Sequence, residues 1–334
     1  MYGVNDSGYL IVITDSESDS FEIELNEAKK IGAVLRRYDC RTEDEVIEAS
    51  KEADAVLVDL APITRRVIQA LTKCRVIVRY GIGLDNIDID AATEAGIYVV
   101  NIPTYCIEEV STHAVALALT CVRKILHFDC DVKAGIWDFQ RQMPILGLND
   151  CRVGVVAFGN IARLFVKKMI PFGPEIVVND PFVPDETIRG FGAIPVDFDE
   201  LVRTSDIISL HAPLTPQTRH LFGEEQFKIM KPNAYLINTA RGGLIDEKAL
   251  YPAIAEGWIA GAALDTTDPE PPEGSNPLLT LDNVIFTPHA AFYSETSLKQ
   301  LHQIAIEEAV RVLKGDLPTV IVNKDVVPRG GCTK

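Results

Sequence analysis

The feature that most constrains this chain is an alternation: short apolar runs rich in β-branched residues, each followed by a stretch with helical spacing, along most of its length. Strands separated by helices are joined by crossovers rather than hairpins, and that produces parallel βαβ units. The runs "YLIVIT", "AVLVDL" and "CRVIVRYG" form a first, small α/β series. A larger series follows residue 150, with "CRVGVVAF", "EIVVND", "DIISLH", "AYLINTA", "AGAALD" and "NVIFTPH" as six candidate strands of a doubly wound sheet. At ~100 to 200 residues per domain, a chain of 334 residues with two such series is expected to form two domains.

Between the series, "IEEVSTHAVALALTCVRKIL" (residues 107–126) repeats its apolar positions at three and four, predicting one long, largely buried helix. A last helix is predicted for "SETSLKQLHQIAIEEAVRVLKGD", ending at Gly315. The "LPTVIVNK" run beyond it has no strand partner in the second series, so the chain is expected to return to the first domain. That domain is then discontinuous, residues 1–102 with 295–334, around a second domain at 103–294. The chain would cross between them near residues 100–104 and 290–296, positions suited to a closing motion.

Composition narrows the class. With 47% apolar and 24% charged residues and no low-complexity tract, the chain reads as a soluble globular protein. The apolar run at residues 9–13 is too short for a signal or spanning segment and runs straight into acids, so a cytoplasmic location is expected. Lys and Arg number 32 against 48 Asp and Glu, and a net charge of −16 repels phosphate backbones and anionic membranes. Neither nucleic acid nor membrane is an expected partner. The seven cysteines, Cys332 among them, are scattered without a C-x-x-C pair, and the six histidines show no metal-binding spacing. No disulfide framework and no metal are expected.

The stretch "VGVVAFGNIA" places a strand, a turn and a helix start where a dinucleotide fingerprint would want small residues at 157, 159 and 162. Gly159 suits the close approach of a pyrophosphate to a helix N-terminus, and Ala162 can pack helix on strand. Ala157 departs from the glycine such a turn prefers, and we expect it to adopt a helical or bridge-region backbone without positive φ. Asp180 ends the next run, eighteen residues after Ala162, close to the ~20 residues expected of a ribose-binding acid. A carboxylate there accepts from both ribose hydroxyls and repels a 2′-phosphate, so NAD rather than NADP is the expected cofactor.

The blocks "RYGIGLDNIDIDAATEAGIYVVNIP", "LHAPLTPQTRHLFGEEQFKIMKPNAYLINTARGGLIDEKAL", "GAALDTTDPEPP" and "TPHAAFYSE" resemble the signature blocks of the D-isomer-specific 2-hydroxyacid dehydrogenases, in order and spacing, from about residue 55 to 323. "HAAFYSE" and "VNK" look most like the branch holding phosphoglycerate dehydrogenase-like enzymes and the C-terminal-binding-protein corepressors. The resemblance implies an α/β fold of two domains, a doubly wound Rossmann NAD-binding domain and a smaller flavodoxin-like substrate domain. It also implies hydride transfer between NAD(H) and C2 of a small 2-oxo or D-2-hydroxy acid.

On this resemblance Arg241 in "NTARGG" orients the substrate carboxylate, a task its planar guanidinium suits. His289 in "FTPHAA" is the acid/base, and Glu270 in "LDTTDPEPP" is its acidic partner, favouring the imidazolium needed for carbonyl reduction. The cofactor contacts it implies are Phe158, Gly159, Asn160, Ile161, Asp180, Pro181, His211, Ala212, Pro213, Thr218, Thr239, Ala240, Asp265 and His289. Asp265 would accept from the nicotinamide amide, and Thr218 could reach a phosphate. Substrate contacts are Arg79, the Ile82 and Gly83 amides, Arg241 and His289. His113 on the long helix reads as a core or interface histidine. Phosphate-accepting members often carry an arginine where this chain has Asp59 and Leu60, which makes a phosphorylated substrate less expected.

Two rival readings accompany the enzyme. A corepressor-like scaffold would bind NAD(H) with little turnover, and the triad does not separate the two. A formate dehydrogenase would want glutamine beside the histidine, where Glu270 stands. The resemblance implies a homodimer formed through the cofactor domain, with the long helix and the arm "AGIWDFQRQMPILGLND" contributing; Trp137 or Ile145 would otherwise be odd apolar exposures.

Overall fold

A computed structural model of the chain describes residues 8–16, 18 and 20–329; Cys332 lies outside the described residues. The chain divides into two compact units, Met1–Tyr105 with Ser294–Lys334, and Cys106–Tyr293.

The first unit holds a five-stranded parallel sheet of β1 (Leu10–Ile13), β2 (Val34–Arg37), β3 (Ala55–Val58), β4 (Val76–Arg79) and β5 (Tyr98–Val100), in the order β2-β1-β3-β4-β5. Its connecting helices are α1 (Glu22–Lys30), α2 (Glu43–Ser50), α3 (Arg65–Ala70) and α4 (Ile89–Glu94). The central strand β3 is buried throughout, which explains its unbroken apolar run, whereas the edge strand β2, "VLRR", is mostly exposed. The "LPTVIVNK" run forms no regular strand. Val322 donates to Val99 O at 3.0 Å, and Asn323 both accepts from Val99 N and donates to Ile97 O, each at 2.9 Å, closing the β5 edge. Glu24 is buried and accepts from the Tyr80 hydroxyl at 2.9 Å and from His302 Nδ1. Burial beside that carboxylate pushes the Tyr80 hydroxyl well above the usual tyrosine range.

The second unit begins with α5 (Ile107–Val122) and α6 (Ile125–Lys133). The single helix expected over 107–126 is thus two. Lys124 takes a left-handed backbone, φ 51°, and its ammonium donates to Gln142 O at 2.9 Å. Seven parallel strands follow: β6 (Arg152–Val156), β7 (Glu175–Asn179), β8 (Ile194–Pro195), β9 (Ile207–Leu210), β10 (Tyr235–Asn238), β11 (Gly261–Leu264) and β12 (Val284–Phe286). They run in the order β12-β11-β10-β9-β6-β7-β8. Between them lie α7 (Asn160–Met169), α8 (Asp185–Gly190), α9 (Phe198–Thr204), α10 (Glu224–Ile229) and α11 (Glu247–Ala255). The closing helix α12 (Glu295–Leu313), capped at Ser294, belongs to the first unit and ends before Gly315, φ 94°.

Alternation along these strands builds two cores. Val153, Val155, Ile176, Val178, Ile207 and Ile237 pack with residues of α5 and α7 on one face, and Val156, Val177, Ile208 and Leu236 with α9, α10 and α11 on the other. Each fully buried Val, Ile or Leu is worth about 1.5 to 3 kcal/mol, so the register that puts these sets on opposite faces is strongly fixed. Because all seven strands are parallel, their C-terminal ends lie on one edge. The chain order reverses between β6 and β9, and doubly wound sheets bind ligands at that crevice. Among the described residues, no helix is long and apolar enough to cross a membrane.

Candidate active site

The turn after β6 faces the switch point. Ala157 sits at φ 68°, its N–H donating to Asn179 O at 2.9 Å. The expectation of a non-positive φ is therefore wrong: the geometry of the strand-to-helix turn imposes the left-handed conformation, and the alanine accepts it at a cost of about 1 to 2 kcal/mol. Phe158, expected among the cofactor contacts, lies in this same turn. Its side chain is wholly buried, its N–H donates to Asp180 Oδ2 at 2.7 Å and its C=O accepts from Arg163 Nε at 3.0 Å. It therefore shapes the turn and has no side-chain surface to offer a ligand.

Gly159 and Asn160 are exposed at the start of α7, with Ile161 half-buried behind them. The helix has no side-chain cap, and a Cβ added at Gly159 would meet nothing within 4 Å, so its first amides face open space. That combination suits an anionic phosphate group. At the end of β7, Asp180 accepts from the Phe158 amide on one oxygen and from the Phe182 amide at 2.8 Å on the other. A carboxylate has about four acceptor positions, so the fixed group keeps capacity for a ribose diol. Pro181 follows it and is exposed.

After β9, His211 packs its ring against Phe165, centroids 5.2 Å apart, and its Nε2 meets Ser209 Oγ at 2.9 Å. Burial pushes its pKa down to about 4, so it is neutral near pH 7. Ala212 is buried and Pro213 exposed. The Thr218 hydroxyl donates to Pro213 O at 2.7 Å and accepts from Thr215 N at 2.8 Å, which commits it to its own loop rather than to a phosphate.

The loops after β10, β11 and β12 are adjacent because the strands are. Asn238, fully buried at the end of β10, accepts from Ala240 N at 3.0 Å and donates to Arg241 O at 2.9 Å, fixing the backbone that presents Arg241. The Thr239 and Thr266 hydroxyls are buried without a partner, orphans of the kind a bound polar group satisfies. Gly242 permits the next loop to close in, since a Cβ there would lie 2.1 Å from Thr267 backbone atoms. In the loop after β11, Glu270 Oε1 lies 2.7 Å from His289 Nδ1, with both side chains about two-fifths exposed. His289 has a left-handed backbone, φ 50°, held by its N–H donating to Asp265 O at 2.8 Å.

Asp265 is the hub. Its side chain is fully buried, Oδ1 accepts from Thr287 Oγ1 at 2.5 Å and Ala290 N at 2.9 Å, and Oδ2 accepts from Ala291 N at 3.0 Å. It therefore holds the whole 287–291 loop, a task sequence reasoning did not give it. His113 was also missed as part of this site: its Nε2 lies 3.0 Å from Thr287 Oγ1. Neither residue type nor spacing marked that contact, which exists only once α5 packs beside the sheet.

In the first unit, Arg79 ends β4 and its guanidinium lies over Gly81, φ 135°, where a Cβ would come within 1.5 Å of Nη1. Arg79 Nη2 is 3.5 Å from Asp59, with both side chains less than one-fifth exposed. Asp15 fixes the Asp59 loop, accepting from the amides of Asp59, Leu60 and Ala61 at 3.1, 2.6 and 2.9 Å. Ile82 and Gly83 are half-buried beyond it, and Asn101 donates to Ile82 O at 2.7 Å.

Residues 115–291 match the sequence profile of the NAD-binding domain of D-isomer specific 2-hydroxyacid dehydrogenases. A D-3-phosphoglycerate dehydrogenase of Methanocaldococcus jannaschii is 44% identical over 290 residues, 86% of this chain and 55% of that protein. The chain thus spans about half the length of that relative. A glyoxylate reductase of Korarchaeum cryptofilum is 37% identical over 286 residues, 84% of this chain and 86% of that one. Among solved structures, a D-lactate dehydrogenase of Aquifex aeolicus complexed with NAD and lactic acid superposes with a TM-score of 0.84 at 28% identity, covering 94% of this chain and 99% of that chain.

Proposed function

Because this chain belongs to the D-isomer specific 2-hydroxyacid dehydrogenase family, we propose that it interconverts a small 2-oxo acid and its D-2-hydroxy acid with NAD(H). The observation that carries the reading is the 2.7 Å contact of His289 Nδ1 with Glu270, on a loop braced by Asp265. NAD(H), when bound, supplies or accepts the hydride at C2.

The protein's own residues do the rest. Arg241 orients the substrate carboxylate through its guanidinium. The Nδ1–H of His289 is committed to Glu270, which leaves Nε2 to give a proton to the carbonyl oxygen on reduction and to take it from the hydroxyl on oxidation. Gly159, Asn160 and Ile161 meet the pyrophosphate, Asp180 the ribose, and Pro181, Ala212, Pro213, Thr239 and Ala240 line the dinucleotide. Asp265, its side chain fully buried and engaged by Thr287, Ala290 and Ala291, braces the loop that carries His289.

Arg79, Ile82 and Gly83 remain proposed substrate contacts. Asp59 already neutralises Arg79, which favours a glyoxylate- or hydroxypyruvate-type acid over one carrying a phosphate. The relatives described above are named as dehydrogenase and reductase, and this supports turnover over a scaffold role. We also read the protein as a cytoplasmic homodimer. NADH oxidation against a panel of 2-oxo acids, run beside His289→Ala, tests the function: turnover of at least one acid, lost in the variant, is expected. No turnover across the panel sinks the reading.

A further inference from the structure

We propose that His113 is a positioning residue of this site, acting through Thr287 to hold the Asp265 carboxylate and with it the backbone that presents His289. Thr287 Oγ1 lies 2.5 Å from Asp265 Oδ1, and both Asp265 oxygens already accept from backbone amides as a carboxylate does, so the hydroxyl hydrogen goes to Asp265. Thr287 Oγ1 must then accept at its other contact, and the donor 3.0 Å away is His113 Nε2. His113 therefore carries its proton on Nε2 and fixes the rotor of the threonine. The same nitrogen is 3.7 Å from Asp265 Oδ1.

The chain of contacts ends on the chemistry. Asp265 holds the amides of Ala290 and Ala291, the two residues after His289, whose own backbone sits at φ 50° and needs outside restraint to stay there. Without the histidine, the Thr287 hydroxyl is free to turn away. Asp265 then loses a donor, and the 287–291 loop loses its inner anchor. His113 comes from α5, which the sequence presents only as an apolar packing helix, so one residue of that helix ties it to the C-terminal edge of the sheet.

The proposal rests on the reading of this edge as an NAD(H) site, and the experiment separates the two. NADH Kd by fluorescence titration, together with kcat and KM, is measured for wild type, His113→Leu, His113→Gln, His113→Asn, Thr287→Val and the His113→Leu/Thr287→Val double variant. His113→Leu is expected to weaken NADH binding and lower kcat, each about tenfold, the order expected for a lost buried hydrogen bond, while KM for the 2-oxo acid, set by Arg241, stays put. Gln places an N–H near the position of Nε2 and should restore most of both losses; Asn, too short, should not. The double variant should be no worse than Thr287→Val alone, since both changes break one chain. The inference is overturned if His113→Leu binds NADH as wild type does, if Gln rescues no better than Asn, or if the two losses multiply. Should His113→Leu not fold, the Gln and Asn pair decides. If wild type reduces no 2-oxo acid, the proposed function falls, whereas the NADH titrations still judge His113.

Discussion

Single residues carry conformational and ionic loads that can be weighed. Ala157 at φ 68° holds a place that glycine would occupy without strain, so Ala157→Gly is predicted to raise stability by about 1 kcal/mol, read from urea melts, despite the greater freedom glycine gives the unfolded chain. His211 predicts a pH dependence. Its folded pKa of about 4 lies below its ordinary 6.5, so above pH 6.5 it is neutral in both states. As pH falls from 6.5 to 4 the unfolded chain takes up a proton that the native state refuses, and stability declines by about 3 kcal/mol, levelling below pH 4. His211→Gln should flatten that part of the stability-versus-pH curve; an unchanged curve would deny the burial its role. At this scale Asp180, Glu270 and His289 were legible because spacing and block order marked them. The φ of Ala157 was not, since residue type argues against it and only the closed turn requires it.

Between elements, the site depends on loops that nearly touch. Gly242→Ala would drive a Cβ to within 2.1 Å of Thr267 backbone atoms and force apart the loops that carry Arg241 and Glu270. We expect a loss of about 3 kcal/mol in denaturant melts, the upper range for overpacking, together with a fall in kcat. Retained stability would mean the loops yield freely. The six strands read from the second series all form, because buried strands keep continuous apolar runs. The strands β2, β5 and β8 escaped notice for opposite reasons: β2 is half charged on an exposed edge, while β5 and β8 span three and two residues. The break between α5 and α6 was equally silent. Its apolar spacing continues through "RKIL", and Lys124 rather than Gly or Pro takes the left-handed turn.

For the whole molecule, α6 and the segment after it leave Trp137 90% exposed and Phe139 68%, with Ile125, Val132 and Met143 exposed nearby, whereas Ile145 is half-buried. A homodimer covering this surface is the proposed assembly, and Trp137→Glu should shift light scattering from dimer to monomer at micromolar concentration; a wild-type monomer would contradict the assembly. Parallel strands bring Arg241, Glu270 and His289 to one edge of a dinucleotide-binding sheet, and the proposed catalysis depends on that placement. Initial rates of NADH oxidation with the preferred 2-oxo acid, compared for wild type, Glu270→Gln and His289→Ala, probe that catalysis. His289→Ala is expected to lower kcat by about 100-fold or more, the range for a lost general acid, with Glu270→Gln falling less and KM for NADH little changed. Wild-type kcat in His289→Ala would contradict it.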